Sequence, residues 1–179
     1  ILDMGLKTGA IARIEASKPG KCIALRADID ALPLTEAWES PHKSLNSGCF
    51  HGCGHDFHTS SLLGAAHILA RTRDLWNGSV ILIFQPAEET TDGAQEIIRT
   101  GVFERYPIEA IFGLHNRPEV ETGKVVVKPA PLMAAKHNFR IVVHGVGGHG
   151  SMPHKCIDPI VCAAGIVQNV LTVGSRNID

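Results

Sequence analysis

The stretch HGCGHDFH, residues 51–58, crowds His51, Cys53, His55, Asp56 and His58 together. Cys53 and His55 flank Gly54, and a glycine there lets the backbone turn tightly. Thiolate and imidazole at this density suit a divalent metal ion. The C-x-H spacing is too close for the two arms of a zinc finger, which use C-x2-4-C and H-x3-5-H. Two arrangements stay open. Cys49, Cys53, His55 and His58 can close a compact structural zinc site. Alternatively, Cys53 and His55 form one wall of an open catalytic site that draws ligands from elsewhere. A cysteine ligand binds as thiolate, and a cation and a nearby helix start both favour that form.

Other polar stretches interrupt apolar text: RADIDALP (26–33), QPAEET (85–90) and GLHN (113–116). Each directly follows a short apolar run. CIALRA leads into Asp28, VILIF into Glu88 and Glu89, and AIFGL into His115. Adjacent carboxylates let one ligate a metal while its neighbour acts as a general base on water.

The elements that must position these residues alternate. Strands are expected at 9–16, 22–27, 80–84, 110–114, 124–127 and 138–144. CIALRA and VILIF are nearly continuous apolar runs, as in strands buried on both faces of a sheet. A helix is expected over 59–71, with Leu62, Leu63, Ala66 and Leu69 at helical spacing. A second is expected over 93–100, with Asp92 and Gln95 as a capping box and Gly101 as the stop. A third should start at Asp158-Pro159, present Ile160, Ala163, Ala164, Val167, Val170 and Leu171 on one face, and stop at Gly174. The alternation predicts an α/β fold with a mostly parallel sheet flanked by helices. In such sheets ligands collect beyond the carboxyl ends of the strands, so residues distant in sequence converge at one edge.

The chain changes character at 129–137, a loop-like PAPLMAAKH. The strand, Gly-rich turn and helix after it read as the opening of a second unit, too small to build its own core. The expected domains are 1–134, a catalytic metal-binding domain, and 135–179, the beginning of a second one. The chain is expected to continue beyond both of its ends.

Composition excludes several classes. The net charge is −1 with 17 Lys and Arg against 18 Asp and Glu, and no basic cluster offers a surface for nucleic acid. No apolar run reaches the length of a membrane span. The five cysteines (22, 49, 53, 156, 162) are odd in number and irregularly spaced. That argues against a disulfide framework and for a reducing, cytoplasmic setting. Cys22 and Cys162 lie in apolar text and are expected to be buried.

The order LRADIDALP, HGCGHDFHT, QPAEE, GLHN, GGHGSMPH resembles the two-metal amidohydrolase family of N-acyl-amino-acid hydrolases, hippurate hydrolases and indole-acetyl-amino-acid hydrolases, relatives of aminoacylases and zinc carboxypeptidases. The likeness runs over essentially the whole chain. It implies a zinc-peptidase-like catalytic domain followed by the start of a smaller α+β lid or dimerisation domain. It implies Cys53, His55, Glu89 and His115 as metal ligands, Glu88 as general base, Asp28 as an acidic support, and His149 as a lid histidine that stabilises the oxyanion. Two divalent metal ions, zinc or manganese with cobalt or nickel as further choices, follow from the same likeness. So do an N-acyl amino acid substrate and a homodimer or higher oligomer formed through the lid. The family's last ligand, a histidine near the end of its chains, has no counterpart in this sequence. Where the family usually reads KMHACGHDGHT this chain reads CFHGCGHDFHT, which places Cys49 and Phe57 near the cluster.

Overall fold

The computed structural model describes residues 1–129, 131–133 and 138–176. Two compact units, Ile1–Val125 and Val126–Asp179, divide the chain. In the first, β1 (Ala10–Glu15), β2 (Lys18–Asp28), β3 (Asn77–Gln85) and β4 (Ile108–Gly113) form one sheet in the order β1-β3-β2-β4. Strand β2 runs parallel to both β3 and β4, while β1 is antiparallel to β3. The sheet is therefore mixed and mostly parallel. Helix α1 (His55–Arg71) links β2 to β3, and α2 (Gly93–Arg99) with α3 (Val102–Arg105) links β3 to β4.

The apolar run of β3 explains the layering. Successive strand side chains point to opposite faces. Val80 and Leu82 pack with Ile14, Ala27 and Leu62 of α1 on one face. Ile81 and Ile83 pack with Ile11, Cys22, Ala24, Ile97 and Val102 on the other. Each such side chain contributes about 1.5–3 kcal/mol by leaving water. The parallel register sets Asp28 beside Gln85 and Arg26 beside Gly113, so β2, β3 and β4 end close to level. The segments that follow them meet at one edge of the sheet.

Helix α1 starts at His55 rather than at Thr59. Gly54 takes a left-handed φ of 78° and turns the chain directly into the helix. Polar HDFH, which reads as loop in the sequence, is the helix's first turn, where main-chain N–H groups lack helical partners and polar side chains are at home. Asp56 accepts a hydrogen bond from the Phe57 N–H there (2.9 Å). Helix α2 begins at Gly93 as expected, but Asp92 makes no side-chain cap, because its own backbone is already helical (φ −93°) instead of extended. Gly101, at φ 71°, ends α2 and opens α3, a short helix the sequence did not announce.

The second unit carries α4 (Pro159–Arg176). Asp158 accepts the Ile160 N–H at 2.8 Å, and the helix runs past Gly174. Its expected face forms but stays uncovered: Ile160, Val167 and Leu171 are exposed, and so is Cys162, against the expectation of burial. The stretches 124–127 and 138–144 are not strands. A run of β-branched residues becomes a strand only where a neighbour takes its N–H and C=O groups, and among the described residues none does. Val146 and Ile157 form an isolated bridge instead. The 129–137 loop falls largely outside the described residues. Among those described, no helix is long and apolar enough to cross a membrane.

Candidate metal centre

Four segments supply the side chains at the level ends of the strands. The end of β2 brings Asp28 and, just beyond it, Asp30; the entry and first turn of α1 bring Cys53, His55 and His58; the turn after β3 brings Glu88 and Glu89; and the loop after β4 brings His115 and Asn116. The Cys53 Sγ lies 3.5 Å from the His115 Nε2. The His55 Nε2 lies 3.9 Å from Glu88 and 4.0 Å from Glu89. Three groupings able to hold a cation follow among the described residues, Cys53–His55–His115, His55–Glu88–Glu89 and Asp28–His55–His58, each with ligand atoms within 4.8 Å of one another. His55 belongs to all three. The structure thus gathers Cys53, His55, Glu88, Glu89 and His115. His149 lies in the second unit, exposed, where its Nδ1 accepts from the Ser151 N–H (3.2 Å) and faces the Ser151 Oγ (2.8 Å).

The imidazoles share one orientation rule. The His55 Nδ1–H donates to Asp30, whose carbonyl and Oδ1 lie at 3.0 and 3.1 Å. The His115 Nδ1–H donates to the Asn116 carbonyl at 2.6 Å. Both contacts put an acceptor at Nδ1 and so leave Nε2 as the lone pair that can ligate. His55 is fully buried, and its Nε2 has no hydrogen-bond partner among the described residues. An orphaned buried nitrogen is costly unless something else fills its lone pair. A divalent cation fits: nitrogen, thiol and carboxylate donors converge on the point at which this atom is aimed.

The turn that carries the two glutamates is built for its position. Ala87 (φ 51°) and Thr91 (φ 68°) hold left-handed backbone on either side of the pair, a conformation that costs non-glycine residues about 1–2 kcal/mol each. Gly93 closes the turn. A Cβ there would stand 1.6 Å from the Pro86 carbonyl oxygen, so no side chain fits. Asp30 ties the turn to β2, since its Oδ2 accepts the Glu89 N–H at 3.0 Å. One carboxylate therefore fixes both the His55 ring and the Glu89 backbone. The sequence reading gave Asp30 no role; the available signal was its place two residues after Asp28, beyond a strand end. Asn116 went unassigned within GLHN as well, and its main chain and side chain both reach His58.

The surroundings shift Cys53 and Asp28 in opposite directions. Burial, then the charges of Glu89 and Glu88, push the Cys53 thiol up. A cation reverses that balance by favouring the thiolate. Asp28 shows the opposite outcome. Burial alone would raise its carboxyl, but the hydrogen bond from the His58 Nδ1–H (2.6 Å) and the Arg26 guanidinium (2.8 Å) outweigh burial and hold it below the usual carboxylate range. Its folded pKa is thus below its unfolded one. The stability this confers is complete above the unfolded pKa and is lost as pH falls through the folded one. In metal-free protein, Asp28→Ala should cost about 3–5 kcal/mol at neutral pH, because His58 and Arg26 lose a buried partner. Urea unfolding across pH tests this, and the gap to wild type should close in acid. A gap that does not change with pH would remove the carboxylate as its source.

A zinc knot confined to residues 49–58 would keep Glu88, Glu89 and His115 away from the metal. Instead these side chains approach the His55 and Cys53 ligand atoms, which counts against that arrangement.

Comparison with known proteins agrees with this geometry. The chain is 47% identical over its whole length to an N-acetylcysteine deacetylase of Bacillus subtilis, covering 47% of that protein. It is 43% identical over 97% of its length to a hippurate hydrolase of Campylobacter jejuni, covering 45% of it. A crystal structure of a dinuclear metal-binding peptidase from Bacillus subtilis superposes with a TM-score of 0.70 at 47% identity, over 73% of this chain and 36% of that one. A putative aminohydrolase from methicillin-resistant Staphylococcus aureus gives 0.77 at 37% identity, over 99% and 47%. The chain spans about half the length of the curated relatives it matches. The family model that matches covers residues 24–173, and the chain belongs to Peptidase family M20/M25/M40.

Proposed function

We propose that this chain carries the metal-binding part of a hydrolase that cleaves the amide bond of N-acyl amino acids. The observation that carries the reading is the buried, unpartnered His55 Nε2, aimed between Cys53–His115 and Glu88–Glu89. The printed names of the relatives, a deacetylase and a hippurate hydrolase, support the substrate class. Cys53, His55, Glu89 and His115 would hold the metal. Two divalent ions, zinc or manganese, would when bound polarise the amide carbonyl and ease ionisation of water.

The chain's own residues do the rest. Asp30 keeps the His55 Nδ1 protonated and its Nε2 free. Glu88, the more exposed carboxylate of the pair (42% against 24%), takes the proton of the attacking water. It then returns that proton to the leaving amine, serving as base in the first step and acid in the second. His149 is assigned to the oxyanion, with residues 135–179 as the beginning of a lid through which two copies pair. Residues 1–134 are assigned to the catalytic domain, and a cytoplasmic location goes with the reading.

The test is to measure metal per chain and then hydrolysis of N-acetyl and N-benzoyl amino acids with zinc or manganese supplied. Release of free amino acid that stops on chelation is the expected result. Bound metal without hydrolysis under any ion would favour a binding module instead.

A further inference from the structure

His115 sits on no regular element. Strand β4 ends at Gly113, and residues 114–117 belong to neither helix nor strand. A ligand on such a segment needs anchoring, because placement errors of about half an ångström already loosen a site. The anchor is its neighbour. The Asn116 carbonyl accepts the His115 Nδ1–H at 2.6 Å, which sets that ring's tautomer. On its other side, the Asn116 N–H lies 3.0 Å and its Oδ1 2.7 Å from the His58 Nε2. With the His58 Nδ1–H given to Asp28, its Nε2 accepts the Asn116 N–H. His58 is fully buried on α1, and its other nitrogen is bound to Asp28 at the end of β2. The His58 and His115 rings meet edge to face at 4.7 Å.

A further contact falls on the residue between two ligands. A Cβ on Gly54 would stand 2.5–2.7 Å from the Asn116 amide atoms. The Asn116 side chain therefore rests directly on the backbone joining Cys53 to His55. Asn116 touches the carriers of Cys53, His55 and His115 together.

We propose that Asn116 is a positioning residue for the metal ligands Cys53, His55 and His115, and that it acts through His58 and Gly54. This rests on the two-metal reading above. Loss of the Asn116 amide loosens His115 and the Cys53–Gly54–His55 backbone.

The experiment is a cobalt(II) titration of the metal-free purified protein. Thiolate-to-cobalt charge transfer in the near ultraviolet reports the Cys53 position, and total bound cobalt by elemental analysis reports both. In Asn116→Ala the thiolate band should need about 10–100-fold more cobalt, as when partners behind a ligand are removed. Asn116→Asp, which keeps the size and the acceptor oxygen, should restore the band. Asn116→Ser replaces the Ala variant if thermal unfolding shows that it does not fold, with the same expectation. A band that develops in Asn116→Ala at wild-type cobalt concentration overturns the proposal alone. A wild-type protein with no thiolate band overturns the two-metal reading and this proposal together.

Discussion

Glu88→Gln is expected to keep its metal and its fold while turnover on N-acyl amino acids falls about 10²–10⁴-fold, the usual worth of a general base. Distance alone does not choose between the two glutamates, since they approach the His55 Nε2 almost equally, at 3.9 and 4.0 Å. Their surroundings do. Glu89 is the less exposed and has its backbone pinned by Asp30, as suits a ligand that must not move. Glu88 reaches water more freely, as suits a group that accepts a proton and gives it up again. Glutamine has the same shape and still offers an oxygen, but at neutral pH it cannot take a proton. Metal analysis beside steady-state kinetics decides the matter. Loss of metal with turnover unchanged would sink the assignment.

His55→Ala should have the widest effect of any single replacement here. Its Nε2 is the nitrogen that the cation groupings share, and its single lone pair is the central donor of whichever grouping holds the ion. Metal content should fall sharply, and turnover by about 10³-fold or more, given several kcal/mol from metal polarisation and about 1.4 kcal/mol per tenfold in rate. Because His55 is fully buried, unfolding of the variant should be compared with metal-free wild type, which separates lost packing from lost ions. A variant that still binds both ions would show that its nitrogen points at the cluster without serving it.

The sheet and the site were legible in the sequence to different depths. VILIF announced a strand covered on both faces because burial on two sides leaves no polar position in the run, and β3 is that strand. The three polar stretches after apolar runs located the edge where Asp28, Glu88–Glu89 and His115 meet, since a level parallel register carries strand ends to one place. HDFH read as loop because a helix's first turn tolerates polar residues that would be out of place later. Lys124–Val127 looked like strand because β-branched residues suit one, yet a strand exists only with a partner, and the partner is not written in the run itself. Asp30 and Asn116 stayed hidden for a related reason. Their importance lies in what they touch across the fold, His55 and Glu89 for one and His58 and Gly54 for the other, and no local pattern encodes those meetings.

The density of HGCGHDFH also bears on the unfolded chain. Cys53 meets His115 across 62 positions of sequence, so that pairing exists only after β2 and β4 have joined in one sheet, a contact of long range and slow closure. Cys49, His51, Cys53, His55 and His58, by contrast, are neighbours in any conformation, folded or not. An ion present during synthesis therefore meets a local chelator before its native partners have assembled. Affinity for the unfolded chain subtracts from the stabilisation that a bound ion confers on the fold. Metal should accordingly raise the melting temperature of this protein by less than its affinity for the finished centre implies, and refolding with excess zinc should be slower than refolding first and loading afterwards.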